Sequence, residues 1–258
     1  MVLRGELHPG RPLALLLPGG GQTTASWART ARSLAAAGLG AATVDLRGHG
    51  ESDWSAPGDY RVDALVADAV ACCRALAAPP VLVGASLSGL TGLLAAAEAP
   101  ESVRGLVMVD IAIDTQPAGV GRVQSFMATS RDGFDTLAEF AAAVAGYTGA
   151  PPAAPDRMRR HARRRPDGRW YWHWDPAFIE RPPDFPRRRL LAAAAALSMP
   201  ALLVRGQLSD VVTKADAEAT RAVIPGATVL DVADAGHMVT GDDNSVFAAG
   251  LARFVAAT

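Results

Sequence analysis

Residues 81–90, which read VLVGASLSGL, join a short strand, a serine and the start of a helix. The apolar run 81–83 is typical of a buried strand, and the alanine- and leucine-rich residues 87–98 predict a helix that ends before Pro100. Ser86 therefore lies at the corner between the strand and the helix. A serine at such a tight corner has a strained backbone and an exposed hydroxyl group, which suits a nucleophile.

The residues around Ser86 support this interpretation, because strand and helix collide unless the positions two before and two after the corner are small. Gly84 and Ser88 meet that requirement, and Gly89 adds room. A corner centred on Ser88 would instead place Leu90 where a small residue is needed. Taken alone, the motif is equally compatible with an ordinary helix N-cap serine.

The composition describes a globular protein whose 258 residues, half of them apolar, can form one large core plus a smaller insert. The formal net charge of −1 gives no reason to expect nucleic acid or an anionic membrane as a partner. The chain lacks an apolar run of transmembrane length and a signal-peptide core, so we expect a cytoplasmic location. Its two cysteines, Cys72 and Cys73, are adjacent and offer neither a structural disulfide nor metal-ligand spacing.

Strands and helices alternate along most of the chain. Apolar runs predict an edge strand at 2–6 and further strands at 13–17, 41–44, 81–83, 103–113, 201–205 and 227–232. This alternation predicts an α/β fold with a mostly parallel sheet covered by helices on both faces. Between about 114 and 198 the strand signals disappear and the sequence becomes helical, proline-broken and rich in arginine and aromatic residues. We therefore predict a core of residues 1–113 and 199–258, with residues 114–198 forming a largely helical cap over the carboxyl ends of the strands.

Two loops in the first half of the chain invite a functional interpretation. The glycine run 19–21 directly follows a predicted strand, but the Walker lysine and the G-x-G-x-x-G spacing of nucleotide sites are absent. A glycine run after a strand can instead turn its backbone N–H groups toward a reacting centre. His49 lies between Gly48 and Gly50 in a tight loop, where a structural role is favoured over catalysis.

A histidine and an acid follow the last predicted strands. His237 comes after the strand at 227–232, and Asp210 comes after the strand at 201–205. Parallel strands end at one edge of a sheet, so both residues are expected near Ser86. The order serine, acid, histidine along the chain is that of a hydrolase triad built on an α/β sheet.

Five segments together resemble the α/β-hydrolases over essentially the whole chain, with a cap of the kind found in epoxide-hydrolase-like and perhydrolase-like members: PGGGQTTASW, DLRGHGESD, VGASLSGL, VRGQLSDVV and DAGHM. The resemblance implies that Ser86 is the nucleophile and His237 its general base. It implies that Asp210 orients the imidazole. It also implies an oxyanion hole formed by the N–H groups of Gly20 and Leu87.

The chain departs from the family pattern at two positions and is ambiguous at a third. Ser88 stands two residues after the nucleophile, where the usual residue is glycine. Pro18 stands where many relatives have a histidine before the glycines, which puts the bracing of that loop in question. Some relatives carry the acid after the earlier strand, where this chain has Asp110. We favour Asp210, because it lies in the usual sequence block while Asp110 can simply cap the end of its strand.

The nucleophile narrows the chemistry. Relatives that open epoxides or cleave carbon–halogen bonds use aspartate where this chain has Ser86. A serine forms an acyl-enzyme, so we expect a carboxylic ester, lactone or thioester as a small-molecule substrate, with no metal and no organic cofactor. Carbon–carbon bond hydrolysis of a ketone is the alternative activity. A non-catalytic ligand-binding protein of the same fold is the alternative class, although the presence of Ser86, Asp210 and His237 argues against it.

The predicted cap contains three closely spaced tryptophans, Trp170, Trp172 and Trp174. They either anchor the cap to the core or line an apolar substrate pocket above Ser86. Residues 156–189 also contain eleven arginines and five acidic residues. This excess of positive charge is compatible with an acyl carrier protein or a carboxylated substrate, but coding bias toward arginine and a solvated helix face explain it as well.

Overall fold

The computed structural model describes residues 1–129, 131–149, 151–237 and 245–258. The strands are β1 (Gly5–His8), β2 (Leu13–Leu17), β3 (Gly40–Val44), β4 (Val81–Ala85), β5 (Gly105–Val109), β6 (Ala162–Arg164), β7 (Trp170–Trp172), β8 (Ala201–Gly206) and β9 (Thr228–Val232). The α-helices are α1 (Ala28–Ala36), α2 (Val62–Arg74), α3 (Leu87–Glu98), α4 (Pro117–Thr129), α5 (Leu137–Thr148), α6 (Pro155–Met158), α7 (Pro176–Glu180), α8 (Arg187–Ala196), α9 (Lys214–Val223) and α10 (Ser245–Ala257). The sequence also predicts a closing helix from about Asn244 to Ala257. Its first residue, Asn244, and Met238 of the DAGHM segment lie outside the described residues.

A seven-stranded sheet organises the molecule, with the strand order β1-β3-β2-β4-β5-β8-β9. Neighbouring strands are parallel, except that β1 pairs antiparallel with β3 at the edge. β4 lies in the middle, and all five of its residues are buried. Central parallel strands are covered on both faces, which explains why this one reads as a continuous apolar run. The predicted α/β fold with a mostly parallel sheet is confirmed.

Helices cover both faces of the sheet, because successive side chains of a strand point in opposite directions. On β2, Leu15 and Leu17 pack in a cluster with residues of α2, α3, α8 and α9. Ala14 and Leu16 pack on the other face with residues of α1 and α10. Each fully buried leucine contributes about 1.5–3 kcal/mol. The two layers hold the carboxyl ends of the central strands in fixed positions.

The chain between β5 and β8 is inserted at that carboxyl edge and contains α4 to α8. It also contains β6 and β7, a small antiparallel pair in which Ala162 faces Trp172 and Arg164 faces Trp170. The sequence pattern did not predict this pair, because three-residue strands are too short to show an alternation. The last helix of the insertion, α8, packs on α3 and contributes Leu190 and Ala193 to the main hydrophobic cluster. α8 therefore packs with the core helices, although it lies within the range 114–198 that was predicted as the cap.

The insertion is fastened to the loop that follows β3. The Asp175 N–H donates to the Gly48 carbonyl oxygen at 2.7 Å, and the Gly50 N–H donates to the His173 carbonyl oxygen at 2.7 Å. The buried Tyr60 hydroxyl donates to Asp175 Oδ2 at 2.5 Å. Burial, followed by the contact with this carboxylate, raises the pKa of Tyr60, so the phenol remains a donor.

None of the helices in the described ranges is both long and apolar enough to cross a membrane.

Candidate active site

Ser86 occupies the corner between β4 and α3, with φ of 49° and ψ of −121°. A non-glycine residue in such a region costs about 1–3 kcal/mol and persists only where its surroundings impose it. Here the surroundings are tight, since a Cβ at Gly84 would overlap the Ser88 carbonyl and a Cβ at Gly89 would overlap Ile111. The Ser86 N–H donates to the Val109 carbonyl oxygen at 2.8 Å, which fixes the corner to β5.

His237 contacts a buried carboxylate, that of Asp110. Its Nδ1 lies 2.7 Å from Asp110 Oδ2, and the Asp110 side chain is only 1% exposed. The Gly206 N–H and the Ser209 hydroxyl also donate to this carboxylate. Because a carboxylate can only accept, His237 Nδ1 carries a proton in this pair, and in the neutral ring Nε2 is left as an acceptor.

The structure corrects the expectation that Asp210 contacts His237. Asp210 Oδ2 instead lies 2.8 Å from Arg122 Nε, in an exposed ion pair on the side of α4. The turn after β8 explains this direction, since the Ser209 hydroxyl donates to Asp110 and also accepts the Val211 N–H at 3.2 Å. The neighbouring Asp210 side chain is thereby excluded from the histidine.

Asp110 reaches the histidine through an unusual backbone conformation at the end of β5. Its φ is 48°, and its N–H donates to the Val204 carbonyl oxygen at 2.7 Å. Aspartate enters the region of positive φ more readily than most residues. The sequence carries no signal for this conformation, which is why Asp210 was favoured over Asp110.

In the glycine loop after β2, the N–H groups of Gly19 and Gly21 have acceptors, and that of Gly20 between them has none among the described residues. The Gly19 N–H donates to Gln22 Oε1 at 3.0 Å, and the Gly21 N–H donates to His49 Nε2 at 2.9 Å. The Gly20 N–H has no hydrogen-bond acceptor within the described part of the chain, and the same is true of the Leu87 N–H at the start of α3. A Cβ at Gly20 would lie 3.5 Å from Leu87 Cδ1, so the two predicted oxyanion-hole residues are neighbours.

His49 stabilises this loop through a hydrogen bond to Gly21. Its ring is completely buried, with Nδ1 2.9 Å from the Arg47 carbonyl oxygen and Nε2 accepting from Gly21. Burial lowers the pKa of His49 to about 4, which keeps the ring neutral and able to accept. The contacts fit the structural role expected from the sequence.

Ser88 supplies a second brace that the sequence did not reveal. Its buried hydroxyl donates to the Pro18 carbonyl oxygen and so ties α3 to the start of the glycine loop. Pro18 is the residue that replaces the family's histidine, and Ser88 is the one that replaces its glycine. The two departures from the family pattern are thus in contact, although they lie 70 positions apart in the sequence.

For the ester hydrolysis expected from the sequence, Ser88→Ala should lower kcat about 3- to 30-fold with little change in KM, because the loop that presents Gly20 loses its hydrogen bond to α3. Leaving a buried carbonyl without a donor also costs about 1–3 kcal/mol in stability. Ser102→Ala is the matched control, since the buried Ser102 hydroxyl donates to the Ala99 carbonyl oxygen at 2.8 Å far from Ser86 in the fold. Steady-state kinetics and thermal melting of both variants check this, and equal kcat losses in the two would contradict it.

Two cavities meet at Ser86 and His237, and Gly20, Val123 and Met127 also border both. The first, of about 180 Å³, is called here the aromatic cavity and is lined by Phe126, Phe140, Tyr147, Trp172 and Trp174. The second, of about 440 Å³, is called the aliphatic cavity and is lined by residues including Leu87, Leu90, Ile111, Val120, Ile179 and Val211. Both are mainly apolar, as small-molecule sites usually are.

Two of the three tryptophans border a cavity, which is one of the two roles considered for them. Trp172 and Trp174 stack on each other at 4.6 Å and form one wall of the aromatic cavity. Trp170 borders neither cavity and lies near the guanidinium groups of Arg159 and Arg164, which belong to the insertion as well. A strand advances about 3.3 Å per residue, so Trp170 lies beyond the reach of a cavity that ends near Trp172.

Within the described ranges, no group of three or more histidine, cysteine or acidic side chains is arranged to hold a metal ion.

Comparison with known proteins places this geometry in a family. The sequence model of the α/β-hydrolase fold matches residues 12–243. An esterase of Mycobacterium tuberculosis, Rv0045c, is 34% identical over 246 residues, which cover 90% of this chain and 78% of the relative. A solved structure of that esterase superposes with a TM-score of 0.80 at 28% identity, covering 99% of this chain and 89% of the other. The 2-(acetamidomethylene)succinate hydrolase of Mesorhizobium japonicum is 27% identical, covering 82% of this chain and 77% of the relative. The chain therefore belongs to the α/β-hydrolase fold family.

Proposed function

We propose that this chain is a serine hydrolase that cleaves carboxylic esters through an acyl-Ser86 intermediate. The observation that carries the proposal is the buried Asp110–His237 pair at 2.7 Å beside the same two cavities as the strained Ser86. The similarity to an esterase over nine-tenths of the chain supports the ester as the substrate class. A protein that only binds a ligand needs neither the strained corner nor the buried Asp110 carboxylate, and both are costly to keep.

In the proposed mechanism His237 Nε2 takes the proton of the Ser86 hydroxyl as its oxygen attacks the ester carbonyl carbon. The carbonyl oxygen becomes an oxyanion and accepts from the Gly20 and Leu87 N–H groups, where the positive end of α3 adds stabilisation. The tetrahedral intermediate collapses, the C–O bond to the alcohol breaks, and His237 returns the proton to the departing oxygen. Asp110 holds the ring in the required tautomer and stabilises its cation.

Deacylation repeats these steps with water. His237 takes a proton from the water as its oxygen attacks the acyl carbon, and then protonates Ser86 as the acid leaves. Lactones and thioesters follow the same path, except that the departing oxygen of a lactone stays attached to the acyl group and a thioester releases sulfur in place of oxygen. Carbon–carbon cleavage needs a group that protonates a carbanion, and no observed contact favours that alternative.

The cavities set the size of the substrate. An engineered protein cavity of about 150 Å³ holds one benzene molecule, so the aromatic cavity accommodates a group of about that size or a short alkyl limb. The larger aliphatic cavity takes the other limb of the ester. We propose that the inserted segment, which supplies walls to both, acts as the cap predicted from the sequence.

The arginines of the insertion give little support to an acidic carrier protein. Arg169 pairs with Asp135, Arg187 pairs with Asp114, and Arg189 bridges to both Asp63 and Glu98. These pairs fold the insertion onto itself and onto the core, so an acyl carrier protein is not part of the proposed function.

Trapping of the acyl-enzyme tests the proposed function. Several esters of one acid, differing only in the alcohol, are hydrolysed in the presence of hydroxylamine. A common acyl-Ser86 intermediate gives the same ratio of acid to hydroxamate for every alcohol. A ratio that changes with the alcohol, or the absence of any ester turnover, would refute the proposed mechanism.

We expect Trp172→Ala to shift the chain-length preference for 4-nitrophenyl esters toward longer chains, because a wall of the aromatic cavity is removed. For the best wild-type substrate, kcat/KM should fall roughly 5- to 150-fold, which corresponds to about 1–3 kcal/mol of lost contact. Trp170→Ala is the control and should lower the melting temperature while leaving the chain-length preference unchanged. If the chain-length preference is unaltered in both variants, neither Trp170 nor Trp172 lines the substrate pocket.

A further inference from the structure

His161 is the aromatic cavity's only imidazole apart from His237 among the described residues that line it. It ends a short 3-10 helix, Arg159–His161, just before β6, and it is not needed for the proposed mechanism. Its ring makes no hydrogen bond to any described residue. Neither ring nitrogen is fully buried. Phe140, Met158 and Trp172 belong to the same mainly apolar lining. An unpaired imidazole is therefore available to whatever enters this cavity.

The charge state of His161 defines what it can offer. Burial, and then the nearby Arg160 and His173, lower the pKa of His161 to about 4. The neutral ring has one N–H donor and one acceptor nitrogen. The neighbouring positive charge of Arg160 favours a partner with negative charge density, so an acceptor oxygen suits the site better than a donor.

We propose that His161 is a specificity-determining residue that donates a hydrogen bond to an acceptor oxygen on the ester limb occupying the aromatic cavity. The inference rests on the proposed function and narrows its substrate class to esters in which that limb carries a carbonyl-type oxygen. A plain alkyl limb would dry the cavity and leave the imidazole without a partner, which costs binding energy. An oxygen-bearing limb avoids this cost and fills the same volume.

Matched pairs of esters test the inference on the complete protein. On the acyl side, 4-nitrophenyl hexanoate is compared with the 4-oxo- and 5-oxohexanoates, and on the alcohol side hexyl acetate is compared with the 4-oxo- and 5-oxohexyl acetates. Each kcat/KM is divided by the rate of hydroxide hydrolysis of the same ester, which removes intrinsic reactivity. His161→Phe keeps a ring of similar shape without hydrogen-bonding groups. Met158→Leu is the matched control in the same cavity, because this swap preserves apolar volume.

We expect the wild-type protein to prefer at least one oxo ester over its plain partner about 3- to 10-fold, as one neutral hydrogen bond provides. His161→Phe should abolish the preference, because kcat/KM for the oxo ester should fall more than kcat/KM for its plain partner, and Met158→Leu should retain the preference. Absence of a preference on both sides, or a preference that survives in His161→Phe, would overturn the inference. Ester turnover that needs Ser86 but shows no oxo preference would leave the proposed function standing, whereas loss of all ester turnover in the wild type would refute both.

Discussion

Asp110→Asn is expected to lower kcat for ester hydrolysis by about 10³- to 10⁴-fold, while Asp210→Asn changes it by less than about threefold. The asparagine amide cannot replace a carboxylate at the Nδ1 of His237, because it no longer favours the reactive tautomer or stabilises the cation that forms during attack. The 2.7 Å contact belongs to Asp110, and Asp210 is paired with Arg122 instead.

Stability measurements keep this comparison interpretable. The Asp210–Arg122 pair is exposed, and such pairs contribute about 0–1 kcal/mol, so Asp210→Asn should melt close to the wild type. Asp110 accepts from three neighbours, and Asp110→Asn is therefore compared with Ser209→Ala, which removes one of these donors without changing the carboxylate. If Asp210→Asn loses more activity than Asp110→Asn, the catalytic acid is Asp210, which follows β8, and the assignment of Asp110 is wrong.

Ser86→Ala should reduce kcat by about 10⁵- to 10⁶-fold, since the members of a catalytic triad act as a unit and only the oxyanion hole and binding remain. The fold should persist, because the Ser86 side chain makes no structural hydrogen bond to the described residues. Ser86→Gly should be equally inactive and should melt at a higher temperature than Ser86→Ala, since glycine adopts a φ of 49° without strain. Single-turnover assays and thermal melting give both readouts, and turnover near the wild-type level in either variant would remove Ser86 from the mechanism.

Local sequence chemistry was sufficient to predict the strand, corner and helix around Ser86. The apolar run of β4 and the small residues Gly84 and Gly89 are local requirements of a tight corner, so they can be read without knowledge of the rest of the fold. His237 could be placed because parallel strands end at one edge of the sheet.

Other features depend on contacts between distant parts of the chain. The choice of Asp110 depends on a positive φ at the end of β5 and on the turn that directs Ser209 toward it. The Ser88 brace depends on a hydrogen bond to the Pro18 carbonyl oxygen, and neither residue in the sequence predicts contact with the other. The position of Trp170 away from the cavities depends on β7, whose three residues are too few to show the alternation of a strand.

Treatment of the wild-type chain with a fluorophosphonate, followed by mass spectrometry of its peptides, tests the central claim most directly, because only an activated serine reacts at an appreciable rate. The account predicts one phosphonyl adduct, located on Ser86, that is absent in Ser86→Ala and forms far more slowly in Asp110→Asn. An adduct on Ser88 or on another serine, or undiminished labelling in Asp110→Asn, would contradict the assignment of Ser86, His237 and Asp110 as the catalytic residues.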